Sequence, residues 1–514
     1  MIDKPKIKWG WRFWRWGLIG VAVIITLGAL VITEENWRGK REWENYKRQA
    51  AAKGDFLDQI LNSTNKIPDD QNFTKAPIFS ALAATTWDER QMKWKPGDSH
   101  LVDPLKMSIS RSDGSGPEHG WLGNWQLARL IDLKEWQNYY RTSPRKLAGE
   151  FPVAPHPQTP SADVLLALSK YDSAIEELRV ASRRPYSRFA DDYTYDLKTG
   201  SRVMEYLVDF KFACSVIELR ALAELGGGET AKAFDDVQLL LRLNEALRQE
   251  PLLITHLVGL ATMHPTLQPI YEGLARRQWS DAQLAELEEE LAAKDFLADY
   301  RKAMRGELGF ALALLENYRR TREYKTVENS SGTDKVMELS FWLMPSAFFY
   351  QNELASARLN EQVCAPLVDL EKRIASPAAE RRAEGAVSAQ MHHYQPYKIL
   401  ALMNFPAISR SVGTFAMTQV YADLAQVACA LERYRLAQGG YPETLESLAP
   451  RFIAKLPHDI INGQPLHYRR APDGKFILYS VGWNEKDDGG QPGATKTGAV
   501  DRKKGDWVWQ YPPE

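Results

Sequence analysis

The sequence predicts a mainly α-helical protein. It has an N-terminal transmembrane helix, a helical-hairpin or solenoid-like bundle, and a small C-terminal α+β module. Three observations carry this. Trp16–Ile32, WGLIGVAVIITLGALVI, contains no charged residue. Between Ser161 and Glu328 one amphipathic pattern follows another across short joints. After residue 409 a long apolar stripe gives way to strand-like runs around turn residues.

The apolar run comes first. As a helix it would reach roughly 25 Å, near the apolar thickness of a bilayer. Lys4, Lys6, Lys8, Arg12 and Arg15 precede it, with Trp9, Trp11, Trp14 and Trp16, whose indoles favour the headgroup region. Glu34 and Glu35 follow it. This asymmetry predicts a cytoplasmic N-terminus and everything after Thr33 outside. A cleaved signal peptide is the rival, but Ala-Leu-Val-Ile-Thr-Glu-Glu offers no small-x-small cleavage site.

Glu34–Gly54 is charged and favours helix, with Glu34/Arg38 and Glu44/Arg48 spaced i,i+4 and Gly54 as a stop. From residue 61 to 160 turn signals break the pattern, and Trp87, Trp94, Trp121, Trp125 and Trp136 are scattered through it. These aromatics read as pins holding a loop-rich segment to the next domain, in preference to a sugar-stacking surface.

Helices are expected at Ala162–Ser182, Ser201–Leu225, Glu229–Gln249, Leu252–Met263, Leu267–Arg277, Asp281–Ala293 and Phe296–Tyr318. Gly226-Gly227-Gly228 joins two of them as an αα-hairpin. Pro251, Pro265 and Pro269 mark helix starts, and Ser280–Gln283 has capping-box spacing. Helical character continues through Val336–Leu359 and Ala365–Ile374, with Pro377–Ser388 as a joint or a further helix. The expected segments are 1–33, tail and anchor; 34–60, juxtamembrane helix; 61–160, Trp-containing loops; 161–408, helical hairpins; 409–514, the α+β module.

In the last segment Ala416, Val420, Leu424, Val427, Leu431 and Tyr434 keep one helical face apolar. Gly439-Gly440 ends that helix, and Tyr441-Pro442 opens a short second one burying Leu445 and Leu448. Leu466–Arg470 and Lys475–Val481 flank Asp473-Gly474 as a hairpin, and Gly505–Pro512 reads as a last edge strand. The pieces ALERYRLAQGGYPETLESL, LPHD, PLHYRR and FILYSVG, followed by KDDGG, resemble the globular half of the major pseudopilin of bacterial type II secretion systems, over Val412–Pro513. The departure is large: in that family the apolar helix joins this module directly, behind a cleavage site with a Glu five residues in. Gly17-Leu-Ile-Gly-Val-Ala has no such Glu, so the chain should not be a prepilin-peptidase substrate. The family binds calcium in the loop after the Ser-x-Gly strand, and the resemblance implies Asp487, Asp488 and Asp506 as the positions for calcium here, against the alternative of a solvated acidic loop. The stretch RGKREWENYKRQAAAKGDFLD followed by IPDDQNF resembles the start of single-pass bacterial membrane proteins that carry such a module, which implies architecture only.

Composition limits the function classes. In 514 residues, Lys and Arg number 65 against 66 Asp and Glu, a formal net charge of −1. That balance gives no global pull toward nucleic acid. Cys214, Cys364 and Cys429 form no Cys-x-x-Cys pair and read as buried hydrophobes. There is no His-Glu-x-x-His, no phosphate loop and no Gly-x-Ser-x-Gly. His256 and His264 stand too far apart for paired ligands, and His392-His393 read as ordinary histidines. The sequence therefore favours a single-pass protein of the bacterial inner membrane, with its bulk periplasmic. It would bind protein partners in an envelope or secretion assembly. The alternative is a periplasmic enzyme with a cleft between the helical domain and the Trp-rich segment, around His100, His119 or Asp192.

Overall fold

Apolar residues at helical spacing become helices through most of this computed structural model, which is mostly α-helical. It describes residues 9–57, 60, 67–80, 86–88, 93–95, 104–112, 114–117, 123–142, 149–189, 197–322, 339–391, 396–403, 410–472, 474–496 and 499–512. Helix α1 (Trp9–Ala52) runs unbroken for 44 residues. The apolar run and the expected juxtamembrane helix are thus one rod, stopped at Gly54, whose φ is +81°. The expected i,i+4 ion pairs are replaced by i,i+3 pairs, Arg38 with Glu35 and Lys47 with Glu44. In the first half of the rod the most apolar window has a mean hydropathy of 2.3, with none of it buried. It is long and apolar enough to cross a membrane.

The helical body follows. Helix α2 (Leu133–Arg141) lies in the expected loop region, opened by Asp132, whose carboxylate accepts the N–H groups of Lys134 and Glu135. The stretch expected as Ala162–Ser182 divides into α3 (Pro160–Leu168), a 3₁₀ turn and α4 (Asp172–Ala181). Helices α5 (Leu197–Gly226) and α6 (Thr230–Arg248) form the glycine-joined hairpin. Two expected helices then fuse. Helix α7 (Leu253–Ala275) carries Pro265 and Pro269 inside it. Proline removes a backbone donor, but this helix is buried on nearly every side, and tertiary packing outweighs the local preference. Thr262 and Thr266 hydroxyls bond back to Gly259 and Thr262 carbonyls nearby.

Helix α8 (Asp281–Ala292) starts on the capping box at Ser280 and Gln283. Helix α9 (Phe296–Thr321) and α10 (Ser346–Leu359) complete the wall that receives α1. Ala365–Ile374 does not continue the helix. A π turn at Asn360–Cys364 leads to a 3₁₀ turn containing Pro366, then to paired strands β3 (Val368–Asp369) and β4 (Ile374–Ala375). An earlier short antiparallel pair, β1 (Thr86–Asp88) with β2 (Lys93–Lys95), lies in the loop-rich segment. Of the two readings of Pro377–Ser388, a joint or a further helix, the structure shows a helix, α11 (Pro377–Met391).

Helix α12 (Val412–Gln438) is the centre of the molecule. It packs against α7, α8, α9 and the C-terminal sheet. Its burial is almost total from Val412 to Glu432, because Ala422, Ala425, Ala428 and Ala430 line the faces beside the expected stripe. The helix ends at Gly439, whose left-handed φ of +81° lets its N–H reach Arg435 O. Leu445 and Leu448 are buried as expected, but on a 3₁₀ turn that begins after Thr444. Strands β5 (His467–Arg470), β6 (Phe476–Ser480) and β9 (Trp507–Gln510) form an antiparallel sheet in that order, so the last strand pairs with the middle one. A second hairpin, β7 (Pro492–Ala494) with β8 (Val500–Gly505), lies between them in sequence. Asp459, from Leu-Pro-His-Asp, is fully buried and accepts bonds from the Ser480 hydroxyl and the Val481 N–H. Two motifs quoted separately in the sequence are thus one junction.

One apolar cluster holds residues from α6 to α9 together with α12 and Trp507 and Trp509, and so crosses the boundary expected at 408/409. Trp125 joins it from the loop-rich segment, its ring 4.4 Å from Tyr421 and 5.6 Å from Trp509. A second cluster gathers Phe73, Phe79, Trp136 and Tyr140 around α5. Trp125 and Trp136 are therefore pins, as expected. Trp121 lies outside the described residues.

Candidate functional site

Two places gather polar chemistry at the surface. The first follows from α1. Gly39, Trp43, Tyr46 and Ala50 recur at helical spacing on its charged half and press on α10. Beyond them a cleft of about 540 Å³ opens. Its walls include the end of α1 (Tyr46, Gln49, Ala50), Lys53 and Asp55 just past it, α9 (Arg301, Lys302, Met304, Arg305, Leu308) and the π turn (Asn360, Glu361). Its volume is in the range of sites for small ligands or peptide side chains. Pi turns recur at functional sites, because the extra residue redirects side chains.

Four cations and two carboxylates line this cleft, and each cation is held by an oxygen. Glu361 accepts Tyr46 Oη at 2.8 Å and Lys53 Nζ at 3.1 Å. Arg305 pairs with Asp55. Arg301 donates to Ala365 O at 2.9 Å. Lys302 Nζ donates to Arg248 O and Gln249 O at 2.8 and 2.7 Å. The titration shifts follow. Burial first, then the Glu361 contact, raises the Tyr46 phenol well above its ordinary range. The Tyr46 hydrogen bond, then that of Lys53, holds the Glu361 carboxyl below its usual value. Burial lowers Lys302. A phenol held protonated and cations held by oxygens do not make a nucleophile with its base. The arrangement suits recognition, in which an incoming carboxylate or backbone carbonyl takes over one of these bonds.

The second place is the acidic loop. Asp487, Asp488 and Asp506 are brought into one corner. Asp506 is fully buried, and its carboxylate accepts the N–H of Asp488 at 3.1 Å and that of Gly490 at 2.7 Å. Asp487 accepts from Tyr479 Oη at 3.1 Å and Gly489 N–H at 2.9 Å. Asp488 Oδ2 accepts Asn484 Nδ2 at 2.7 Å. Burial raises Asp506, whereas the Gly489 N–H lowers Asp487. Calcium needs several oxygens converging on one point. Here each carboxylate faces protein donors, and among the described residues no group of three His, Cys, Asp or Glu side chains converges to hold a metal. Asp506 acts as the loop's staple, closing it on the N–H groups of Asp488 and Gly490.

His256 and His264 serve packing. His256 is buried with its ring 6.2 Å from Phe415, and His264 lies 5.7 Å from Trp125. His100, His119, Asp192 and His392-His393 lie outside the described residues. All three cysteines are buried and free. The cleft was missed from sequence because it joins residues about three hundred positions apart; the Gly39, Trp43, Tyr46, Ala50 stripe was the available signal. No family model, curated protein or solved structure matches this chain.

Proposed function

We propose that this chain is a membrane-anchored binding or scaffold protein, with its body held outside the cytoplasm as part of an envelope or secretion-related assembly. The observation that carries the reading is the unbroken rod α1. Its exposed apolar half suits hydrocarbon, and its second half is locked onto α10. A body fixed this way has a set height and orientation, which a scaffold needs and a freely diffusing enzyme does not. The cleft would stand about 30 Å from the apolar run, counted along the helix from Ile32 to Lys53. Its excess of cations over carboxylates and its apolar floor of Leu57, Met304 and Leu308 suit a polypeptide partner carrying carboxylates or free carbonyls. The pseudopilin resemblance of the C-terminal segment supports the choice of a secretion-related setting.

Photo-crosslinking in native membranes tests this. A photoreactive side chain at Lys53 or Glu361 should give discrete adducts larger than the chain. The same group at Val180, exposed on α4, should not. Identical patterns from all three positions would refute the cleft as a partner site.

A further inference from the structure

We propose that the body makes a second contact with the bilayer, through Trp37 and the outward residues of the segment leading into α10. The inference rests on the reading that the first half of α1 lies in hydrocarbon. Helices α1 and α10 pack parallel. Asn36 Oδ1 accepts the Ala347 N–H at 2.7 Å, Glu42 takes Gln351 at 2.9 Å, and Tyr46 reaches Glu361 just past the helix end. The start of α10 therefore faces the same way as the apolar end of α1. Asn36 is four residues beyond Ile32, about 6 Å along the axis. Whatever precedes Ala347 stands at headgroup height.

What precedes it is Leu339-Ser-Phe-Trp-Leu-Met344. Phe341 turns inward, buried with Phe348 and Phe349 and edge-on to Tyr318 at 5.1 Å. That leaves Leu339, Trp342 and Leu343 outward, 57%, 64% and 64% exposed. The segment is fastened: Arg322 donates to Met344 O and to Ser346 Oγ. Trp37, 60% exposed on α1, adds an indole one residue past Asn36. Arg320, two residues before Arg322 in the chain, is exposed at the end of α9. Exposed Trp and Leu beside Arg is the composition of a membrane interface, and large apolar side chains left outward on a held segment mark a contact surface. Continuity with the apolar half of α1 selects the bilayer as the occupant.

Spin-label depth measurements on the full chain in phosphatidylethanolamine–phosphatidylglycerol nanodiscs test it. Nitroxides are placed singly at Leu343→Cys, Leu339→Cys, Ile24→Cys and Lys53→Cys; the native cysteines are buried. The ratio of oxygen to nickel-chelate accessibility should be highest at 24 and lowest at 53. At 343 and 339 it should be several-fold above 53. If 24 is deep while 343 and 339 match 53, the second contact is refuted and the anchor stands. An aqueous label at 24 overturns both. Labels at 343 and 339 shielded from both reagents would mean a protein covers the patch, which also overturns the proposal.

Discussion

Replacing Gly39 tests whether α1 is seated on α10. A Cβ at 39 would lie 3.3 Å from Ala347 Cα, 3.5 Å from Tyr350 Cβ and 3.6 Å from Ala347 Cβ. In Gly39→Ala, a gain of about 1 kcal/mol in helix propensity offsets that tight contact, and the net change is small. Leucine adds three heavy atoms more than alanine where the two backbones already touch. Overpacking of this kind costs about 1–3 kcal/mol. A central value of about 2 kcal/mol makes the helix pair open roughly 30-fold more often. The reporter is Ala50→Cys, a position 8% exposed in the seam, modified by maleimide in detergent. Native thiols interfere little, since burial pushes Cys364 up to about 12 and Cys214 and Cys429 higher. Gly20→Leu is the control, with nothing within 4 Å. The modification rate should rise roughly 30-fold in Gly39→Leu and barely in the other two variants. Equal rates in Gly39→Leu and Gly20→Leu would refute the seating of α1.

Three further outcomes are expected. Trp125→Ala removes the indole between Tyr421 and Trp509 and should cost about 3–5 kcal/mol; an unchanged thermal melt would show that the loop segment is not part of the core. Burial raises the Asp423 carboxyl to about 7 against its bond from Gln419. The folded state therefore keeps a proton that the unfolded chain loses near pH 4. That contribution is full below about pH 4 and is lost as pH rises through 7. Asp423→Asn should abolish this part of the pH dependence in denaturation curves, and parallel wild-type and variant curves would contradict the assignment. Asp506→Ala frees two backbone N–H groups and should lower the melting temperature equally in chelator and in millimolar calcium. A loss seen only with calcium would instead assign a metal to Asp487, Asp488 and Asp506.

Much of the framework was legible because it rests on local physics. The uncharged run, the Ser280 capping box, the glycine-joined hairpin and the Gly439 stop each depend on residues a few positions apart. Readings failed where distant packing decided. Pro265 and Pro269 look like breaks until α7 is seen to be enclosed. Ala365–Ile374 has helical character, yet Pro366 and the pairing of β3 with β4 turn it aside. The stripe on α12 was visible, but the alanines on its other faces were not read as the mark of close packing all round. The acidic loop was located, but spacing cannot show that Asp506 turns toward its own backbone. The cleft depends on Tyr46 and Lys53 meeting Glu361, a contact no local pattern encodes.

The most direct test is labelling of Val180→Cys, 60% exposed on the body, by an impermeant maleimide in intact spheroplasts, combined with alkaline carbonate extraction. The account predicts labelling before lysis, with the protein retained in the membrane pellet. Labelling only after lysis, or release into the carbonate supernatant, would contradict it.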